Sequence, residues 1–225
     1  MTELTTLRFV ALGDSLTRGY VPFEASTQRG HWLPYTDYLD NIVIVEQEKK
    51  GLGRLDLVFI NLGVNGDSTR GMLQRVGTEV VRHESDYVIV WGGINDLFSG
   101  KTPEETLATL AEIYTTVKEV GASPIACTLT SVIGPSGAIS HIRAMNDLIK
   151  RHCEKNEILL ADLFTATSYE NGVLRVEYSS DGVHLTAEGN KKIASTIYKE
   201  VVEGILDRFA EYPNTPSGWF FAQDL

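Results

Sequence analysis

Ser15, Gly66, Asn95, Asp181 and His184 are residue types from which acyl transfer can be built. A serine hydroxyl becomes a nucleophile when an imidazole takes its proton, and a carboxylate fixes the imidazole tautomer and balances its charge. N–H donors then hold the oxyanion that forms. Ser15 lies in "VALGDSLTRG", two residues after Gly13, where a helix starting near Leu16 would turn the Ser15 N–H toward a site. Asp181 precedes His184 by three residues in "DGVHLTAEG", a spacing that lets the carboxylate reach one ring nitrogen and leave the other free. Asn95 follows two glycines in "GGINDL" and offers a neutral amide donor. Gly66 in "NGDST" offers a backbone N–H with no side chain in front of it.

Each piece has a plainer reading. Asp14 or Ser15 can cap a helix. Gly66 can be a turn glycine of type I′ or II. Asn95 can sit in a turn or, with Asp96, cap the next helix. "DGVH" can be an exposed Asp-Gly turn beside a surface histidine. What favours chemistry is where all of them fall along the chain.

Apolar runs rich in β-branched residues occupy 7–12, 57–63, 87–93, 123–130 and 157–163. They lack polar alternation, as strands covered on both faces do. Helical patterns fill 67–83, 102–121, 138–156 and 186–206. The second has Thr102 as cap, Pro103 at its first position and Gly121 as its stop. Strand–helix alternation predicts an α/β fold, a three-layer α/β/α sandwich around a mainly parallel sheet of about five strands. Residues 21–56 show no clean period. Ligands bind outside the carboxyl ends of such strands. "GDSLT", "GVNGDST" and "GGINDL" each follow a predicted strand, and "SSDGVHLT" precedes the last helix, so four polar segments are placed to meet at one sheet edge.

"GDSLT", "NGDST", "GGIND" and "DGVH" resemble, in order, the four sequence blocks of the GDSL or SGNH hydrolase superfamily of esterases and lipases. The resemblance spans residues 8 to about 206 and looks closest to small lysophospholipase, thioesterase and acetyl-esterase members. It implies a flavodoxin-like sandwich and ester hydrolysis. Ser15 is then the nucleophile, with Asp181 and His184 completing a triad. Ser15, Gly66 and Asn95 become the oxyanion donors. It implies a small ester or lysolipid substrate and no cofactor.

Composition narrows the rest. The chain has 225 residues and a net charge of -10, with no basic stripe to meet a nucleic-acid backbone or an anionic membrane. No apolar run reaches membrane-spanning length, so no stable membrane insertion is expected. The N-terminus lacks the pattern of a signal peptide, which suggests a cytoplasmic protein, although a processed secreted form would read the same. Cys127 and Cys153 read as buried thiols. No histidine pair has metal-ligand spacing, and no metal is implied. "SGKT" (99–102) lacks the first glycine of a phosphate loop, and "GPSGA" (134–138) lacks the last glycine of a nucleophile elbow. One hydrolase domain is expected over 1–210. A tail over 211–225 follows, which either frays or, because "GWFF" is too apolar to leave in water, packs on the domain or on a partner subunit as a homo-oligomer contact. Tyr20, Phe23, His31, Trp32 and Tyr35 either wall a substrate pocket or pack a surface segment. A non-catalytic flavodoxin-like module binding a small ligand at the same edge is the rival from another class. A metal-dependent phosphate-ester hydrolase using Asp14 is a second.

Overall fold

In the computed structural model, which describes residues 5–22, 31–53 and 55–211, the five apolar runs form one parallel sheet. Its strands are β1 (Thr5–Gly13), β4 (Leu55–Gly63), β5 (Tyr87–Trp91), β6 (Ser123–Cys127) and β7 (Leu159–Ala161). Their order is β4-β1-β5-β6-β7. Numbered within the sheet this is 2-1-3-4-5, the flavodoxin-like winding. All four pairings are parallel, with Gly13 in register with both Gly63 and Trp91. Every residue of β5 is buried, as expected of a central strand covered on both faces. Phe9 stacks on Tyr87 with ring centroids 4.7 Å apart and tilts against Phe59 at 5.0 Å, knitting three strands together through the core.

Helices cover both faces. α3 (Thr69–Arg82), α5 (Pro103–Glu119) and α6 (Ser136–Lys155) pack in series on one side. α2 (Tyr35–Lys50) packs on α8 (Ala187–Ile197) on the other. A wider, π-type turn over 198–202 joins α8 to α9 (Glu203–Glu211). α5 starts as its sequence predicts. Thr102 and Glu105 exchange side-chain and backbone hydrogen bonds in a capping box, and Pro103 occupies the first helical position.

α2 falls inside the stretch without a clean period. Its buried stripe is Tyr35, Leu39 and Val43, at helical spacing. The run Ile42-Val43-Ile44-Val45 hides that stripe, because it places apolar residues all around the helix and reads as a strand. Short strands β2 (Tyr20–Val21) and β3 (His31–Trp32) pair antiparallel and set Tyr20 opposite Trp32. The tail over 212–225 and Phe23 lie outside the described residues. Cys127 and Cys153 are buried free thiols, both pushed up by burial, Cys153 to about 12. No described helix is long and apolar enough to cross a membrane.

Candidate active site

The polar segments after β1, β4 and β5 meet the segment before α8 at the carboxyl edge of the sheet. After β1 the chain makes one helical turn, α1 (Ser15–Arg18). Asp14 caps it, accepting from the Leu16 N–H at 2.9 Å. The capping role therefore falls to Asp14, and the Ser15 side chain is free to face the cleft. Its Oγ lies 3.0 Å from His184 Nε2, across 169 residues of sequence. Gly13 has to be glycine, because a Cβ there would lie 2.3 Å from the Trp91 carbonyl oxygen.

His184 is oriented from its other side. Its Nδ1 lies 2.7 Å from Asp181 Oδ2. Asp181 Oδ1 accepts from the N–H groups of Val183 (2.9 Å) and His184 (2.8 Å), so the loop folds around its own carboxylate. Burial pushes the Asp181 carboxyl up, but the His184 ring and these two N–H groups outweigh it and hold it below the usual carboxylate range. Ser179 Oγ donates to the His184 carbonyl at 2.6 Å and accepts from the Gly182 N–H at 3.0 Å. An antiparallel bridge between Ser179 and Leu185 closes the loop's base. The Ile133 N–H donates to the Gly182 carbonyl and ties the loop to the segment after β6.

The donor side is built differently. Gly66 has φ of 71°, a left-handed turn that other residues adopt only under strain, as the turn reading expects. Among the described residues, neither the Ser15 nor the Gly66 N–H has a protein acceptor. Asn95 is the second residue of α4 (Ile94–Phe98), whose cap is Gly93, so the capping reading of Asn95 does not hold. One Asn95 N–H donates to the Asp67 carbonyl at 2.9 Å. The other lies a long 3.4 Å from Asp14 Oδ2 and stays available to a stronger acceptor.

Behind these donors runs a lattice that the sequence did not single out. Arg75 donates to the Gly13 carbonyl (3.0 Å) and to Asp67 Oδ2 (3.0 Å), joining the end of β1 to the loop after β4. Asp96, fully buried, accepts from the Thr69 N–H and hydroxyl and pairs with Lys101 at 2.6 Å. Among the described residues Asp67 and Asp96 each have a cation and Asp14 has none. Burial, assisted by the two neighbouring carboxylates, pushes Asp14 up to about 7 against the Leu16 N–H. Only Ser179, Asp67 and Asp96 carry a local signal, being neighbours of the four motifs. Arg75 is set by tertiary packing alone.

The aromatic cluster divides. Tyr20 stands edge-on to His184, with ring centroids 4.9 Å apart, and Trp32 lies 5.5 Å from Tyr20. Trp32 is 45% exposed, and the Arg18 guanidinium lies 4.5 Å from its ring centroid. Tyr35 is wholly buried against Trp91 and belongs to the core. Among the described residues there is no cluster of three or more His, Cys, Asp or Glu residues that could hold a metal ion.

Comparison with known proteins finds a matching family and several relatives. The model of the GDSL-like lipase/acylhydrolase family matches residues 11–192, a span that includes all five candidate residues. An arylesterase of Vibrio mimicus is 23% identical over 198 residues, covering 87% of this chain and 88% of its own length. Two solved structures share the fold. A G-D-S-L lipolytic protein from Veillonella parvula has a TM-score of 0.70 at 19% identity, over 87% of this chain and 98% of its own. The aryl esterase of M. smegmatis has 0.69 at 17%, over 88% and 99%.

Proposed function

The chain belongs to the GDSL-like lipase/acylhydrolase family and is a carboxylic ester hydrolase, and from that premise we propose that it works through an acyl-enzyme on Ser15. The observation that carries this reading is the Ser15–His184–Asp181 chain of contacts at 3.0 and 2.7 Å. With its proton on Nδ1, directed at Asp181, His184 presents a bare Nε2 to the Ser15 hydroxyl. Ser15 Oγ attacks the ester carbonyl carbon while its proton passes to Nε2. The carbonyl oxygen gains the negative charge and meets the N–H groups of Ser15 and Gly66 and the second N–H of Asn95. The ester C–O bond then breaks, and Nε2 gives its proton to the leaving alkoxide. Water, deprotonated by the same nitrogen, attacks the acyl carbon; the bond to Ser15 Oγ then breaks, Oγ takes the proton back from Nε2, and the acid leaves.

The wall beside His184 faces the departing alcohol, because that nitrogen protonates it. Tyr20 and Trp32 form this wall, and flat rings stack well on aromatic surfaces. Aryl esters are therefore the substrate class we propose, and the names of the Vibrio and M. smegmatis relatives point the same way. Hydrolysis of p-nitrophenyl acetate by the wild type and by Ser15→Ala tests the mechanism. The variant should lose about a millionfold in kcat, on the scale seen when other serine hydrolases lose their nucleophile. Retained turnover would sink the assignment. For the substrate class, Trp32→Ala should raise KM for aryl acetates more than for ethyl acetate, and an equal effect on both would remove Trp32 from the pocket.

A further inference from the structure

Arg18 ends the helical turn that begins with the nucleophile. Residues three apart on such a turn are neighbours, with Cβ atoms about 5–6 Å apart, so Arg18 rises on the Ser15 side of α1. Its backbone is fixed. The Arg18 N–H donates to the Asp14 carbonyl at 3.0 Å, and Asn61 Nδ2 donates to the Thr17 carbonyl at 2.7 Å. The Leu33 N–H donates to the Gly19 carbonyl at 2.8 Å and ties the end of α1 to β3. With Tyr20 paired to Trp32 across the two short strands, these bonds set the Arg18 guanidinium over the Trp32 ring. His184, Tyr20, Trp32 and Arg18 therefore follow one another along one wall, from the half-buried base to an exposed cation.

The charge at the end of this wall is unspent. Arg75 and Lys101, the cations behind the oxyanion donors, are paired with Asp67 and Asp96. Among the described residues the Arg18 guanidinium has no carboxylate partner, and none of its N–H groups has a protein acceptor. A guanidinium set over a ring engages it through its delocalised charge and keeps its N–H donors for a carboxylate, which can take two of them at once. The contact with Trp32 also holds the side chain in place beforehand, so less freedom is lost when an anion binds.

We infer that Arg18 selects aryl esters whose leaving phenol carries an anionic group, a carboxylate on the ring being the simplest case. This rests on the proposal that Tyr20 and Trp32 receive the departing alcohol, and it adds the charge which that alcohol bears. The phenol ring lies along Tyr20 and Trp32, and its carboxylate, on the side of the ring away from the ester, meets the guanidinium. The contact is remote from the reacting carbon and is the same before and during acyl transfer, so it lowers KM rather than raising kcat. In a chain of net charge -10 it also offsets the repulsion that an anionic ester meets on approach.

The esters 4-acetoxybenzoate and 4-acetoxybenzamide, alike in shape and different in charge, test this on the full protein at low salt. Arg18→Gln should raise KM for the benzoate about tenfold more than for the benzamide, the effect falling on KM rather than kcat. Arg18→Lys keeps the charge and should recover part of the difference. Equal effects of Arg18→Gln on the two esters would overturn the inference and make Arg18 a prop for Trp32. An unchanged KM for both would overturn it as well. Either result leaves the aryl reading standing, because both substrates are aryl esters. A wild type that hydrolyses ethyl acetate and neither aryl ester would instead remove the aryl reading, and the inference with it.

Discussion

Ser15, Gly66 and Asn95 are held in place from far away, and His184 is held by its immediate neighbours. The donor side depends on Arg75, which joins the Gly13 carbonyl to Asp67, and on Asp96, which joins Thr69 to Lys101. These bonds link loops that are distant in sequence. The His184 side is a tight loop that satisfies itself through Asp181 and Ser179, with one tie to Ile133. The contrast follows from what each half is asked to do in the proposed mechanism. Oxyanion donors act by being fixed before the charge appears, which demands a stiff, partly buried lattice. The base must exchange a proton with serine, alcohol and water, and a half-exposed loop gives those partners access.

Substitutions can break each half separately. Asn95→Ala should lower kcat by about a hundred- to a thousandfold while the melting temperature stays near that of the wild type. Unchanged turnover would take Asn95 out of the donor set. Arg75→Met should act on stability and turnover together. It leaves the Asp67 carboxylate mostly buried and unpaired, at a cost of about 3 kcal/mol. In a domain of this size that lowers Tm by roughly 10 °C. A normal Tm would mean that the lattice is not what stiffens the donors. Ser179→Ala, on the other side, should lower kcat by about tenfold with KM little changed and Tm lowered by a few degrees, since it releases the His184 carbonyl and leaves the Gly182 N–H unpaired. A KM effect without a kcat effect would contradict its role in orienting the base.

Asp14 offers the most specific test. Its carboxyl in the folded chain is raised above the unfolded value, so the protonated form contributes stability at acid pH. That contribution is lost as pH rises from the ordinary carboxylate range through about 7. Asp14→Asn cannot ionise and still accepts from the Leu16 N–H. The variant should therefore gain stability relative to the wild type between about pH 4 and pH 7, with no further gain above, in parallel denaturant titrations. A constant difference across that range would show that Asp14 is charged throughout.

The same contrast explains what could be read in the sequence. The sheet was legible because β-branched runs covered on both faces look alike wherever they occur, and β1 extends only from Thr5 to Gly13 around the predicted 7–12. The Asp181–His184 pairing was legible because three residues separate its members. The Ser15–His184 contact rested on topology, since only the winding of the sheet brings residues so far apart together. α2 was hidden because Ile44 and Val45 break its buried stripe. The Arg75–Asp67–Gly13 bonds were invisible for another reason. An arginine on a helix carries no local mark of the carbonyl it will meet.

Covalent labelling with a fluorophosphonate, followed by peptide mapping, tests the account at its centre. One phosphonyl group should appear on the peptide carrying Ser15, and it should be absent in Ser15→Ala and much slower to form in His184→Ala. A folded wild-type protein that takes no label, or takes it on another serine, would contradict the account.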